Sequence, residues 1–569
     1  MDKFEFVNQN YEMLADGGKP KQFTYSAEKE QRKKRQGRMR RLAAAMLALL
    51  VIGGAVYIAK IVETPSVSEK VDSGQMTKAG ETTGGKNKPT QTEHGAIGLP
   101  SDFEPVVLKE GVKSNYKLSL KMKGEAGFLV NAVIKVTNTS DSTWNNLSFY
   151  FFPNQFGDMA RDQCRRKIVS FAVDKCMQEI GEGETAIEKV AIAGEKTAFE
   201  LDGIRLNVPL MRPIRSGETR ETEIAYTFSL PKNLIEKGIY NPLQWYPMLP
   251  GFDKDWLFYP PSLEKETYST PSADIALTFN LPGNLQAVTS GVDTDQRKTA
   301  GTISGENLKE MSVLLLDGYE MKKAKAGGTE IRVFSASEDN RRAGEIIKTA
   351  LNAVGFFERE FGSYPHKQLD LVITDTRKGS RPGLILQPIN IVEDTFYHLP
   401  DSETPEHLLV HQIAQQWFYG NVHFERHTDA WLNDGLSELA ASLYFMAGQK
   451  KNEEESFAFA NKYNEIMIFE EGVKANLPAD QYAGNYGGIT GQIQAKPAIK
   501  LWEMLKPHGE EASLEFLAEY LRIYSGKKLA TIEFIHFAKE YLKVNNSAFT
   551  GWLDYNPYSN YEMSDFYNL

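Results

Sequence analysis

An uninterrupted apolar run near the N-terminus constrains this chain more than any other feature. Residues Leu42–Ala59 form 18 consecutive apolar positions, just long enough to cross a bilayer as a helix. Basic residues are concentrated at 32–41, immediately before the run, so the positive-inside rule predicts a cytoplasmic N-terminus. A cleaved signal peptide is the alternative, but its n-region would be 41 residues long and no small-x-small cleavage site follows. The sequence therefore predicts an uncleaved signal anchor in the cell membrane, with a large extracellular domain.

The charge balance agrees with this division. The predicted cytoplasmic tail, residues 1–41, contains eleven Lys and Arg and six Asp and Glu, a net charge of +5. The whole chain carries −10, so the remainder carries −15 (−10 minus +5). An acidic extracellular domain argues against a nucleic-acid partner, because phosphate binding needs basic surfaces.

Three zones are expected after the anchor. Residues 60–105 are rich in Thr, Gly and Lys and poor in periodic apolar positions, which predicts a flexible linker. From about Tyr116, alternating apolar and polar residues predict antiparallel strands, for example at 221–228 and 273–280. Helical spacing of apolar residues begins near Asp339 and dominates to the C-terminus.

The chain has two cysteines, Cys164 and Cys176, and both fall in the predicted extracellular β region. A single pair in an oxidising compartment favours a disulfide bond between them. Two free thiols are the alternative that the sequence leaves open.

One segment carries most of the information about chemistry. Thr404 and Pro405 predict a helix start, and the helix that follows has His411, Gln412 and Gln415 at the positions of an H-E-x-x-H zinc motif. In that motif two His one turn apart bind the metal, the Glu is the general base, and a carboxylate from the next helix completes the shell. Counting on without a gap, the carboxylate position is Asp434.

The flanking residues resemble a known family. Gln416-Trp-Phe-Tyr-Gly420 and Ala430-Trp-Leu-Asn-Asp-Gly435 are similar to segments of the alanyl-aminopeptidase-type gluzincin metallopeptidases, and weaker similarity extends over about residues 110–555. The resemblance implies an α+β multidomain fold. Its parts would be an N-terminal antiparallel β saddle or sandwich at 106–325, a thermolysin-like mixed α/β domain at 326–505 and a helical C-terminal section at 506–569.

The resemblance also assigns roles that this sequence does not fill. The metal positions are His411, Gln415 and Asp434, of which Gln415 offers only a neutral amide and Asp434 is one methylene shorter than Glu. The base position is Gln412, which cannot accept a proton at neutral pH. The sequence therefore predicts no bound zinc and no hydrolysis.

Two further family positions rest on looser matches. Leu386, in Gly383-Leu-Ile-Leu386-Gln-Pro388, stands where the family's exopeptidase motif has the Glu that holds the substrate's α-amine. Gln494, two residues before Lys496, stands where the family has the Tyr that stabilises the oxyanion, and Tyr486 is the alternative candidate. Both assignments predict further loss of catalytic support.

The sequence leaves open alternative metal ligands and a second functional hypothesis. His407 and His411, and likewise His423 and His427, are one turn apart and could form a relocated metal site. Glu438 could replace Asp434 as a ligand, or could support the site from behind. The sequence favours an inactive pseudopeptidase that retains a peptide-binding groove and meets a peptide or another membrane protein. An active zinc aminopeptidase with an unusual metal shell is the second hypothesis.

Overall fold

The computed structural model describes most of the chain after the predicted linker. The described residues are 97–555, except 158–182, 233–234, 237, 243, 260–266, 294–298, 376–378, 382, 389–403, 467–472 and 483–488. The predicted signal anchor, most of the linker, both cysteines and Tyr486 lie outside these residues. Within them, no helix is long and apolar enough to cross a membrane.

The first part of the structure is a β domain. A seven-stranded sheet with the order β15-β13-β1-β2-β8-β4-β5 packs with smaller sheets of the orders β14-β16-β10-β9, β3-β7-β6 and β11-β12. The strands are β1 Val112–Lys123, β2 Gly127–Asn138, β3 Trp144–Tyr150, β4 Thr185–Ile192, β5 Glu195–Lys196, β6 Glu200–Asp202, β7 Arg205–Ile214, β8 Thr219–Ser229, β9 Ile235–Glu236, β10 Ile239–Tyr240, β11 Phe252–Asp253, β12 Asp255–Trp256, β13 Ala273–Asn280, β14 Gln286–Thr289, β15 Ala300–Leu308 and β16 Val313–Leu316.

Alternation explains these strands. Every second side chain of β1 is buried, because successive side chains of a strand point to opposite faces and only one face meets the core. Among the described strands of these sheets, pairing is antiparallel as expected except between β1 and β13, which are parallel neighbours.

A second, mixed sheet follows. Its strands are β17 Glu320–Ala326, β18 Thr329–Ser335, β19 Gln368–Thr374, β20 Gly379–Arg381 and β21 Leu384–Pro388, in the order β17-β18-β19-β21-β20. Strand β19 is buried along its whole length, as a central strand covered on both faces must be. The sheet begins at Glu320, slightly before the domain boundary expected at residue 326.

Helices cover this sheet and form the C-terminal part. They are α1 Asn340–Phe361, α2 Pro405–Asn421, α3 Arg426–Asp429, α4 Trp431–Leu443, α5 Glu453–Ser456, α6 Ala458–Ile466, α7 Lys496–Leu505, α8 Gly509–Tyr524, α9 Thr531–Leu542 and α10 Ser547–Thr550. Short π-helical segments extend α4 at Tyr444–Gly448 and precede α7 at Gly491–Ala495. Residues from the mixed sheet, from helices as far as α10 and from the segment that follows α10 up to Leu553 share one hydrophobic core, so the C-terminal helices do not pack as a separate unit.

The start of α2 follows the sequence signal. The Thr404 side chain accepts a hydrogen bond from the backbone N–H of His407 at 3.0 Å, and Pro405 occupies the first turn, where its missing N–H costs nothing. Helix α4 begins at Trp431, five residues before the start expected from apolar spacing at Leu436. Asp434 therefore lies in the first turn of a helix.

The end of the predicted linker is not a free tether. The N-terminal segment 97–110 runs across the C-terminal helices, where the Gly98 N–H donates to the Tyr541 carbonyl at 2.8 Å. The Phe103 ring lies 4.9 Å from the His536 ring. Ile97 and Leu99 also pack against the main core. The expectation of a flexible chain up to residue 105 is therefore wrong for residues 97–105, because their few apolar side chains find a surface that composition cannot reveal.

Candidate functional site

Helices α2 and α4 carry the predicted site on their facing sides. Gln415 of α2 contacts Asp434 of α4, and His411, one turn earlier in α2, contacts Glu438, one turn later in α4. The residue that comes earlier in α2 contacts the residue that comes later in α4, so the two helices are antiparallel. The structure thus brings together His411, Gln415 and Asp434, and it adds Glu438 as the next step along the same interface.

The Gln415 and Asp434 side chains bind each other. Gln415 Nε2 donates to Asp434 Oδ1 at 3.0 Å, and the side-chain amide of Asn433 donates to the same oxygen at 3.0 Å. In a zinc site, this carboxylate oxygen and the side chain at position 415 would both face the metal. Here an amide hydrogen occupies the space between them.

Glu438 is the centre of a second, larger group. Its two oxygens meet His407 Nε2 at 2.9 Å and His411 Nδ1 at 3.0 Å, and Gln494 Nε2 donates to it at 2.9 Å. Glu438 is fully buried and both His are nearly so. Because Gln494 lies in the π-helical turn before α7, one carboxylate connects three helical segments.

This arrangement keeps Glu438 ionised. Burial by itself raises the pKa of Glu438, but the charge of His407 and hydrogen bonds from His407 and His411 outweigh burial and hold the pKa below its ordinary value. A buried carboxylate with this many donors is a stable hydrogen-bond acceptor and a poor proton acceptor. It is therefore poorly suited to act as a general base in place of Gln412.

Gln416 fixes the neighbouring strands to α2, and the sequence reasoning did not single it out. Its Oε1 accepts from the Gly383 N–H at 2.8 Å and from the Tyr364 hydroxyl at 3.1 Å, while its Nε2 donates to the Arg381 carbonyl at 3.0 Å. Gly383 has a φ of +78°, and a Cβ there would lie 2.9 Å from the Ser290 carbonyl oxygen. The β20–β21 hairpin is thereby held against the site helix.

The structure does not place Leu386 in the site. Along β21, Ile385 packs into the core that contains α2, while Leu384 and Leu386 pack on the opposite face, against residues such as Val372. Alternation along a strand makes these two directions exclusive. Leu386 therefore packs on the face of the sheet opposite α2, away from the position that the resemblance gives to the α-amine-binding Glu. The edge of the sheet beside α2 is formed instead by β20, which carries Ser380 and Arg381.

The four clustered histidines separate into different environments. His407 and His411 meet at Glu438, but His423 contacts Glu110 through Nδ1 at 2.6 Å and the Ser272 hydroxyl through Nε2 at 2.9 Å. The His427 ring stacks on a tyrosine ring at 4.2 Å. A metal site made from all four is excluded by this separation.

The zinc that the fold family implies does not fit these residues. Of the three family positions, only His411 has a side chain that zinc binds well, and the other two are joined by their own hydrogen bond. Among the described residues, no three His, Cys, Asp or Glu side chains are arranged to hold a metal ion.

Similarity to known proteins agrees with the fold. No protein-family model matches the chain. An aminopeptidase N from Haemonchus contortus is 22% identical over 292 residues, which cover 47% of this chain and 29% of that protein. The chain thus matches less than a third of that relative's length.

Solved structures give a longer match. The M1 zinc metallopeptidase from Deinococcus radiodurans superimposes with a TM-score of 0.53 at 15% identity, covering 79% of this chain and 95% of that one. A mutant of that enzyme bound to a Tyr-Ser-Ala substrate gives a TM-score of 0.51 at 16% identity, over 78% and 94% of the two chains. The chain therefore has the fold of the M1 zinc metallopeptidases, in agreement with its sequence resemblance to the alanyl-aminopeptidase-type gluzincins.

Proposed function

We propose that this protein is a membrane-anchored, aminopeptidase-like pseudopeptidase that binds peptides and does not cleave them. The observation that carries the proposal is the hydrogen bond between Gln415 and Asp434, which joins two of the three zinc positions to each other. A catalytic zinc needs about three protein ligands and an open position for water. With two positions satisfied internally, His411 alone would have to hold the metal.

The loss of the base supports the same proposal. Gln412 is buried in α2, and its amide has no basic lone pair at neutral pH. General-base catalysis contributes about 10²–10⁴-fold to a hydrolysis rate, and removing the metal removes the activated water as well. The two losses act on one step, so neither compensates for the other.

Retention of a binding groove is supported by the parts that remain. The α2–α4 pair and the β20–β21 hairpin are joined through Gln416, and this connection supports the proposal that the framework of a groove is retained. The Deinococcus relative holds a Tyr-Ser-Ala substrate, which makes a short peptide the first ligand class to test.

The purified full-length protein is expected to show no aminopeptidase or peptidase activity above background, with or without added zinc. The measurement is hydrolysis of aminoacyl reporter and tripeptide substrates, with a chelator-treated sample as control. Chelator-sensitive turnover by the unmodified protein would overturn the proposal.

An active zinc aminopeptidase is the second candidate, because the matched solved structures are zinc enzymes. Elemental analysis separates the two. The pseudopeptidase should contain essentially no zinc, whereas an active enzyme should contain about one zinc per chain. Zinc together with turnover would establish the second candidate.

The membrane topology gives a separate prediction. Residues from about 60 onward are expected outside the cytoplasmic membrane, because the apolar run 42–59 follows a strongly basic segment. Protease added to intact protoplasts should degrade the large domain and leave the N-terminal tail. Protection of the large domain until lysis would show that the orientation is reversed.

A further inference from the structure

A buried lysine joins the β domain to the end of the site helix. Lys309, directly after β15, is 6% exposed, and its Nζ donates to the Val422 carbonyl at 2.9 Å. Val422 is the C-cap residue directly after α2, so the ammonium lies at the negative end of the helix dipole. The rings of Tyr419 and Phe424 lie 4.8 Å and 5.3 Å from Nζ.

Three other parts of the chain meet here and bring charged groups. Glu110 comes from the N-terminal segment, and Lys528 comes from the connection between α8 and α9. The stretch from the end of α2 to the start of α3 supplies His423, Glu425 and Arg426. With the Tyr419 phenol, they face a cavity of about 10 Å³, which is room for one water. We call this meeting point the junction.

The carboxylates of the junction are held by groups other than Lys309. Glu110 is bound to His423 at 2.6 Å, and Glu425 is bound to Lys528. Lys309 itself donates to a neutral carbonyl, that of Val422. Its charge is therefore buried against a helix end and two aromatic faces, which stabilise it less than direct contact with a carboxylate would.

Burial lowers the pKa of Lys309 to about 7 from its ordinary 10.5, and the charges of Arg426 and Lys528 act in the same direction, while Glu110 and Glu425 oppose them. If the junction opens, the amine reaches water and regains its ordinary affinity for protons. Opening therefore takes up a proton between about pH 7 and 10.5, so lowering the pH through this range favours the open form.

The neighbouring groups do not reverse this direction. Burial also lowers the pKa of His423, which would bind a proton more readily once exposed. Burial tends to raise the pKa of Glu110, but Lys528 and His423 lower it to about 2, so exposure would make this carboxyl easier to protonate as well. All three groups favour opening as the solution becomes more acidic.

We propose that Lys309 makes the junction sensitive to pH, so that the contact between the β domain and the end of α2 weakens as the pH falls. The proposal is independent of whether the site binds peptides or metal. It depends on a buried cation at a helix end, where the Lys309 segment meets three other parts of the chain.

Amide hydrogen exchange of the full-length protein tests whether the junction opens as the pH falls. The backbone amides of Leu108, His423 and Leu529 donate to Lys528, Lys527 and His423 across the junction at 2.7, 2.9 and 3.0 Å, so their exchange reports its opening. After correction for intrinsic exchange, the opening constant should rise about 50-fold from pH 9 to pH 7, as follows from pKa values of about 7 and 10.5.

Three variants make the result decisive. Lys309→Met has no charge and should stay closed with a flat pH profile, whereas Lys309→Arg stays charged and should be more open at every pH, also with a flat profile. Lys322→Met is the matched control, because Lys322 also donates to a backbone carbonyl, that of Asn340, but at an exposed position. It should keep the wild-type profile. Equal pH profiles for wild type and Lys309→Met would overturn the proposal, and if that variant fails to fold, a wild-type-like slope in Lys309→Arg would do the same.

Discussion

The triple variant Gln412→Glu, Gln415→His and Asp434→Glu is expected to bind about one zinc per chain, and the wild-type protein is expected to bind essentially none. The backbone needed for the site is present, because α2 and α4 already pair side chains at 415–434 and 411–438. Glu438 faces Nδ1 of His411, so Nε2 is the ring nitrogen that can coordinate the metal, and a carboxylate behind a zinc-bound His fixes its orientation. Elemental analysis and titration with zinc measure the gain.

Stability gives a second readout for the same variant. A metal that binds only the folded state stabilises it by about 2.7 kcal/mol when free zinc is 100 times the dissociation constant. Thermal unfolding of the triple variant should therefore shift upward with zinc and return with a chelator. The matched control is the double variant Gln412→Glu and Asp434→Glu, which still lacks the second His and should not respond. A triple variant that folds but ignores zinc would show that the groove has departed from the family geometry.

We expect catalytic activity to be restored to a smaller extent than zinc binding. The restored variant regains metal and base, but Gln494 still stands where the family has a Tyr, and its amide is bound to Glu438. It therefore lacks the hydroxyl that supports the oxyanion in the relatives that the sequence resembles. We expect weak, zinc-dependent hydrolysis at most.

Glu438→Ala is expected to destabilise the folded protein by about 3–5 kcal/mol, the usual cost of removing one partner from a buried charged pair. His407, His411 and Gln494 would all lose their shared acceptor at a position that water does not reach. Chemical denaturation at neutral pH measures the loss. Glu438→Gln keeps one acceptor oxygen and should cost less.

The contribution of Glu438 to the stability of the folded protein should also decrease as the pH falls. Its pKa is lowered in the folded state, so its stabilising effect is fully present above the ordinary value of 4.5 and is lost as the pH falls towards the lowered value. The difference in stability between wild type and Glu438→Gln should therefore shrink in acid. Glu503→Gln, at a 55% exposed surface pair with Lys500, is the control and should change stability by less than about 1 kcal/mol. Equal losses of stability in Glu438→Gln and Glu503→Gln would contradict a central role of Glu438 in the site.

Much of the fold follows from local patterns in the sequence. Strict alternation gave β1 and β13, and Thr404 with Pro405 gave the start of α2, because each pattern acts through neighbours along the chain. The ungapped run from His411 to Gly435 also fixed which residues share the site. The residue types at these positions are set by the sequence itself. No tertiary packing can give Gln412 the basicity of a carboxylate or Gln415 the ring nitrogen of an imidazole.

Leu386 shows where sequence comparison fails. Its position along the chain was compatible with the family motif, but the face to which it points depends on the hairpin that precedes β21, and a shift of one residue reverses the face of a strand. Gln416 was missed for a related reason. Its partners, Arg381 and Gly383, are 35 and 33 residues away, and no local pattern marks such a contact.

The sequence by itself determined the helix that carries the site, the strand pattern of the β domain and the residue types at the family's metal and base positions. Only the tertiary structure decided which groups meet around those positions. Glu438 gathers His407 from 31 residues away and Gln494 from 56, and Lys309 reaches Val422 across 113. Burial then sets the behaviour of these groups, because the same carboxyl or amine in water would keep its ordinary pKa and bind no particular partner.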